Sequence, residues 1–322
     1  MFIEADSVDQ VQRSVVKVLL SKGRRVRPRG QWVYEVTGLS FRLNNPRARL
    51  VYSKARKFSL PFAVGEMCWY LRGTNRLDII SYYSRRYRQF SDDGMTLYGA
   101  YGRRLFTNEL TGSVQWQAAL RCLQRDPDTR QAVLHLHLPQ DLLADTKDVP
   151  CTCYLQFFIR ENRLEMIVNM RSNDIIWGTA YDVFSFTMMQ EIMARQLRLE
   201  VGPYMHFAGS MHIYDRHLQM AEEILSERPY RTFEMPRMPE DPWKGLHELL
   251  RTEEELRTSG VACSWPEDEY WHQLAIVLQI YAVTKSGHEA HTLSLRPKLM
   301  GCYESLLFRG DALVRREGGT PL

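Results

Sequence analysis

No Cys-x-x-Cys pair occurs in the sequence, and none of its six cysteines, at 68, 122, 151, 153, 263 and 302, has the ligand spacing of a zinc site. Cys151 and Cys153 are too close for an ordinary strand disulfide, because alternate residues on a strand lie about 6.5–7 Å apart. The expectation is a reduced, cytoplasmic protein with no metal. Long apolar runs are also missing: no stretch approaches the roughly 20 residues needed to cross a bilayer. The opening MFIEADSVDQ carries acids where a signal peptide has an apolar core. No internal repeat or low-complexity segment is present, which argues against a solenoid or a disordered linker. Excess charge of one sign is scarce as well. Lys and Arg number 42 against 38 Asp and Glu, a net charge of +4 that suits small anions without requiring nucleic acid.

What is there is an ordinary globular composition, 44% hydrophobic and 25% charged over 322 residues. That length holds one large domain or two ordinary ones, with a substantial core. Helical spacing runs over Val8 to Leu20, with Gly23 as the stop, and over Phe62 to Leu71, Trp116 to Leu123 and Val183 to Leu197. Asp215 to Ser226, Leu246 to Leu256 and Tyr270 to Tyr281 also read as helices. Trp32 to Thr37 and Leu39 to Leu43 read as paired strands broken at Gly38, and Arg130 opens a strand through Leu136. Tyr154 to Ile159 and Leu164 to Met170 alternate as a hairpin around the polar break Arg160 to Arg163. Pro229 to Pro242 is a proline-rich connector.

Each candidate functional residue also has an ordinary structural reading. Cys151 beside apolar strand residues fits a core position. Glu66, within GEMCWYLRG, fits a surface acid, although a carboxylate buried in such a run needs partners. Tyr101 fits a turn between glycines, Trp177 fits core packing, and Asp182 fits the cap of a helix beginning at Val183. The clusters Arg24–Arg29 and Arg85–Arg88 fit solvated loops or a weak nucleic-acid patch, without a recognisable binding motif.

Order and spacing together point further. Pro150-Cys151 followed by Gln156-Phe157 resembles the nucleophile strand of the thymidylate synthase family. Arg171-Ser172-Asn173-Asp174, Gly178 and Tyr181-Asp182 resemble that family's arginine-serine-x-aspartate and glycine-x-proline-phenylalanine-asparagine segments. His206 and His212-Ile213-Tyr214 resemble its sugar-binding strand. The likeness covers roughly the first three quarters of the chain. It departs at Asp182, where thymidylate synthases carry asparagine and the cytidylate hydroxymethylase branch carries aspartate. It departs again at Gln131, where the family has a second arginine.

The resemblance implies an α/β (α+β) fold, a large mixed sheet packed on helices. It also implies a catalytic domain over 1–235 and a helical C-terminal extension over 236–322. It implies that the Cys151 thiolate adds to ring carbon 6 of a pyrimidine nucleotide, so that carbon 5 can attack an electrophile. Glu66 would organise water and move protons, with Tyr101 as the matching tyrosine. Arg29 (Arg27 second), Arg171 and Ser172 would hold the phosphate, and Arg130 would reach the phosphate bound by the other chain of a homodimer with shared sites. His212 and Tyr214 would face the sugar, and Asp182 the base. Asp174, Trp177 and Gly178 would border the one-carbon donor, 5,10-methylenetetrahydrofolate. The expected activity is hydroxymethylation of a cytidine monophosphate, with dCMP favoured over CMP. Methylation of the same nucleotide and thymidylate synthesis are the enzyme alternatives.

Overall fold

The computed structural model describes residues 1–107, 114–228, 230–287, 293–309 and 312–313. Pro229 of the expected connector, and residues 288–292, 310–311 and 314–322 of the expected extension, lie outside the described residues. The chain opens with β1 (Phe2–Ala5), α1 (Val8–Lys22), β2 (Arg24–Val26) and β3 (Val33–Leu43). Next come α2 (Leu60–Leu71), α3 (Leu77–Tyr83), α4 (Tyr101–Phe106) and α5 (Gln115–Arg125). β4 (Val133–His135), β5 (Thr152–Arg160), β6 (Arg163–Met170), β7 (Asn173–Asp174), α6 (Gly178–Gln196), β8 (Glu200–Tyr214) and α7 (Leu218–Ser226) follow. The C-terminal part contributes α8 (Pro242–Ser259), α9 (Glu269–Lys285), α10 (Gly301–Leu307) and a short ladder of β9 (Phe308–Arg309) with β10 (Ala312–Leu313).

The sheet has the order β1-β3-β8-β6-β5-β4, with β2 on β3 and β7 on β8. It is mixed: β3 and β8 are antiparallel, while β6 and β7 each run parallel to β8. The β5–β6 hairpin turns on Glu161 and Asn162, whose φ values of 49° and 58° match the right-handed twist of a tight two-residue loop. Gly38 does not break its strand. Thr37 pairs with Ser210 and Leu39 with Ala208, so the two strands expected here are one continuous β3 crossing Gly38 at φ 67°. At the end of α1 a glycine is required, since a Cβ on Gly23 would sit 2.4 Å from the Leu19 carbonyl oxygen.

α6 is buried along almost its entire length, so it is covered on every side rather than along one stripe. Several of its polar residues find partners, while Ser185 Oγ, Gln190 Oε1 and Arg195 Nε have none among the described residues. Gln190 donates to the carbonyls of Leu164 (2.9 Å), Gly202 (2.9 Å) and Pro203 (3.2 Å), and Glu191 forms a fully buried ion pair with Arg49. The helix begins at Gly178, five residues before the expected start at Val183.

The chain divides into two compact units. The first, Met1–Phe58, Asn108–Ala144 and Val149–Met235, holds the whole mixed sheet with α1, α5, α6 and α7. The second comprises Ser59–Thr107, Asp145–Asp148 and Pro236–Leu322. The first unit ends at Met235, and Ser59–Thr107 groups with the C-terminal segment. The reason is packing: α2 is buried along its full length against α3, α8 and α9. Within that unit Glu253 is fully buried, with Arg72 at 2.8 Å, Arg257 at 2.9 Å and the Tyr83 hydroxyl donating at 3.0 Å.

Candidate active site

Cys151 immediately precedes β5, and Arg171 immediately follows β6. The antiparallel pairing of these strands brings the two together, with the Arg171 N–H donating to the Cys151 carbonyl at 2.9 Å. The Arg171 guanidinium then clamps the cysteine turn. Nε donates to the Pro150 carbonyl (2.9 Å) and Nη2 to that of Val149 (2.8 Å), and Nη2 lies 3.6 Å from the Cys151 sulfur. A fixed cation beside a half-buried thiol favours the thiolate, which is the nucleophilic form. Burial instead pushes the Cys153 thiol upward, against the smaller opposing effect of Arg171.

β7 carries the next part of the site. It pairs Asn173 with Met211 and Asp174 with His212, so the segment after Arg171 lies against the end of β8. The Asn173 amide donates to Asp182 Oδ2 at 2.8 Å and accepts from the Thr179 hydroxyl at 2.5 Å. In this arrangement the hydroxyl, which also lies 3.1 Å from the Asp174 carbonyl, donates to the amide oxygen, and the amide NH₂ faces the carboxyl. Asp182 is therefore not a cap: it stands four residues inside α6, on the helix's first turns. Burial raises its carboxyl to about 7, with the Asn173 hydrogen bond opposing the rise and Asp174 adding to it. A Cβ on Gly178 would press on the Asn173 amide (3.3 Å) and on Asp182 Oδ2 (3.4 Å), so the glycine keeps the face over this pair open.

An aromatic row borders the group. The Trp177 indole donates to His217 Nε2 at 2.9 Å, His217 stands edge-on to Tyr214 at 6.0 Å, and Tyr214 edge-on to His212 at 5.1 Å. The buried Arg56 guanidinium covers Trp177 at 4.3 Å and Tyr181 at 5.0 Å. Trp177 is thus anchored on one side by protein. The Tyr214 phenol is raised by burial and by the nearby Asp174 and Cys151, while Arg216 and Arg29 pull it down. Arg29 is exposed at φ 45°, in the left-handed region, while its neighbours Arg25 and Arg27 lie over Trp32. Ser172 is half-buried beside Arg171.

Three further expected positions divide between the units, Arg130 in the first and two in the second. Arg130 is exposed, and its carbonyl accepts at 2.9 Å from Gln156, the middle residue of β5 and five positions along the chain from Cys151. Glu66 and Tyr101 belong to the second unit. There Glu66 is buried on α2 and accepts a hydrogen bond from the Tyr87 hydroxyl, while Tyr101 opens α4 and stacks on Tyr70 at 5.4 Å. His206 is fully buried. It is stacked on Phe41 at 4.7 Å, and burial lowers it to about 3, so it is a neutral core residue. Sequence reasoning missed Asn173 and Thr179 as a pair, and Arg56 with His217 as the support of Trp177. The spacing of Thr179 three residues before Asp182 was the available signal for the first.

Comparison with known proteins identifies the family and the fold. A family model described as thymidylate synthase matches residues 10–244. The deoxyuridylate hydroxymethyltransferase of Bacillus phage SP01 is 32% identical over 228 residues, covering 67% of this chain and 60% of that protein. The enzyme of the same name from Pseudomonas phage M6 is 32% identical over 200 residues, covering 59% and 55%. The chain thus spans about three fifths or less of the length of these curated relatives. The fold resembles that of thermostable thymidylate synthase A from Bacillus subtilis, with a TM-score of 0.60 at 23% identity, over 70% of this chain and 86% of that one. With the family pattern matched over most of its length and the cysteine, arginine and acid gathered at the end of one mixed sheet, the chain belongs to the thymidylate synthase family.

Proposed function

We propose that the chain hydroxymethylates carbon 5 of a cytidine monophosphate, dCMP in preference to CMP. The observation that carries the base assignment is the Asp182 carboxyl, held by the Asn173 amide and raised to about 7. Cytosine presents an amino group at position 4 and a bare nitrogen at position 3. A carboxyl that exchanges a proton near neutrality can accept from the first and donate to the second. As the thiolate adds to carbon 6, the ring nitrogen becomes more basic, so the same carboxyl stabilises the adduct. Against uracil the ionised form faces a carbonyl oxygen, and rejection by such a mismatched buried polar group is worth roughly a thousandfold or more; the protonated form pairs with either base, so discrimination belongs to the ionised carboxylate. The names of the phage relatives favour a deoxyuridylate reading instead, and the assay below separates the two.

Cys151 forms the bond to carbon 6 and is expelled when the proton on carbon 5 has left and the ring becomes aromatic again. Arg171 keeps the thiolate available. Its Nη1 makes no hydrogen bond among the described residues, and it joins Arg29 in binding phosphate. His212 and Tyr214 face the sugar, and Ser172 supplies a hydroxyl consistent with a deoxyribose. Glu66, with Tyr87 donating to it, moves protons and orders water. The residues around Trp177 fit 5,10-methylenetetrahydrofolate. Asp174 uses Oδ1 to accept from the Ile176 N–H at 2.9 Å, which leaves Oδ2 for a ring N–H, and Gly178 keeps the adjoining face clear. When bound, that group supplies the one-carbon unit.

Two features support a homodimer. On the sheet face carrying Ile167, Met205 and Phe207, apolar side chains stay half-exposed or exposed, Phe207 at 42%. Arg130 lies too far along β5 to serve its own Cys151, which suits donation to a second copy. The deciding experiment incubates the enzyme with methylenetetrahydrofolate and equimolar dCMP, CMP and dUMP, and reads product masses. The expected product is hydroxymethyl-dCMP. A product from dUMP alone would overturn the cytidylate assignment, and a methyl product the hydroxymethyl one.

A further inference from the structure

The second unit contains a cavity of about 800 Å³ that none of Cys151, Arg171, Asp182, Glu66 or Tyr101 lines. Its walls carry five cations, Arg76, Arg85, Arg88, Arg257 and Lys285, against one acid, Asp78. Two of the cations are already matched. Arg76 holds Asp78 through two hydrogen bonds of 3.0 and 2.6 Å, and Arg257 holds the buried Glu253 at 2.9 Å. The other three converge without a carboxylate. Arg85 and Arg88 belong to the 3₁₀ turn Arg85–Phe90, in which positions three apart eclipse each other, so both guanidiniums leave the same side. Neither makes an ion pair or a hydrogen bond among the described residues. The Lys285 ammonium lies 3.7 Å from the centre of the Tyr82 ring and donates to the Tyr82 carbonyl at 2.6 Å. Burial lowers its affinity for the proton, and the nearby charge of Arg85 lowers it further.

Like charges gathered in a cavity repel one another unless an anion joins them. A second observation points the same way: Ser81, also in the wall, is 7% exposed and its hydroxyl has no hydrogen-bond partner among the described residues. The volume lies in the range of small-molecule sites, about 300–1,000 Å³. Arg257 and Lys285 come after residue 244, where the family match ends, so the cavity is completed by the part of the chain outside the family pattern.

We propose that this cavity binds a polyphosphate anion, the chemistry of a nucleoside triphosphate, with Arg85, Arg88 and Lys285 as its principal contacts. Guanidinium forks match phosphate oxygens in paired hydrogen bonds, and three uncompensated cations match a chain of several phosphates better than a single one.

Calorimetric titration of the full chain with inorganic tripolyphosphate and with dCTP tests this. Both should bind the wild-type protein and the Arg171→Ala variant equally, which separates this site from the phosphate of the proposed substrate. Arg85→Ser with Arg88→Ser should weaken both by about tenfold or more, the loss of one to two charged hydrogen bonds. If that double variant disturbs the fold, Arg85→Gln and Lys285→Met, each alone, decide the matter by the same titration. Tripolyphosphate without the nucleotide would leave inorganic polyphosphate as the ligand; tighter binding of dCTP would mark the nucleotide. Unchanged binding in the variants would overturn the proposal. So would no binding at millimolar ligand, or a preference for an oligoglutamate or a single-stranded oligonucleotide.

Discussion

Asp182 occupies a position where one proton carries both stability and specificity. Its carboxyl is raised by burial from 3.8 to about 7. Between those values the folded chain holds a proton that the unfolded chain releases, so the contribution of Asp182 to stability falls as pH rises through this window and is least above 7. Asp182→Asn removes that dependence. Thermal melts should show the variant gaining on the wild type between pH 5 and pH 8, and a constant gap would mean that the carboxyl is ionised throughout. The same substitution should lose dCMP turnover and gain dUMP turnover. Because Thr179 fixes the Asn173 amide, an asparagine at 182 would turn its oxygen to Asn173 and its NH₂ to the base, the pattern that reads uracil. Asn173→Ala should therefore narrow the preference for dCMP over dUMP by about tenfold, the worth of one charge-assisted hydrogen bond, read as a ratio of kcat/KM values. At the nucleophile, Cys151→Ser should abolish both turnover and tritium release from carbon 5, whereas Cys153→Ser should keep most activity.

At the scale of elements, periodicity was a good guide where one face of a strand or helix is buried. It found the β5–β6 hairpin and α1 nearly to the residue. It failed at β3 because a glycine reads as a break, although a strand paired on both sides of Gly38 carries straight through it. It failed at the start of α6 because Gly178 to Asp182 has no apolar rhythm. Those residues are helical for the sake of the site, with Gly178 and Thr179 arranged around Asn173 and Asp182. The order of Cys151, Arg171 and Asp182 was legible because neighbouring strand and helix ends fix their spacing. The pairing of Arg49 with Glu191 was not, because 142 residues separate them and neither belongs to a local pattern. That ion pair is fully buried, so removing one partner leaves a lone charge in the core. Glu191→Gln should cost about 3–5 kcal/mol in denaturant unfolding. A loss under 1 kcal/mol, the order of an exposed pair, would mean that water reaches the site.

For the whole molecule, the proposed sharing of sites makes a test that no single chain can pass. Arg130→Ala protein mixed with Cys151→Ser protein should recover part of the activity that each has lost, because a hybrid pair contains one intact site. Sedimentation should report a dimer at assay concentration, and a strict monomer with full turnover would remove the shared site. The division into two units was not legible in the sequence. It depends on Ser59–Thr107 packing with helices that begin almost 140 residues after that segment ends, and local patterns carry no record of such distances.

The pairing of β3 with β8 also governs the birth of the protein. β1 and β2 both dock on one edge of β3 soon after they are made. The other edge waits for Tyr204 to Tyr214, the partners of Leu43 to Val33. At about 5–20 residues per second of synthesis, that edge stands open on the order of 10–30 s. Leu39, Phe41 and Leu43, fully buried in the finished sheet, are then within reach of any other nascent chain with a bare strand. Crowded ribosomes would bring such chains together, so the yield of native enzyme should fall as its own messenger becomes abundant.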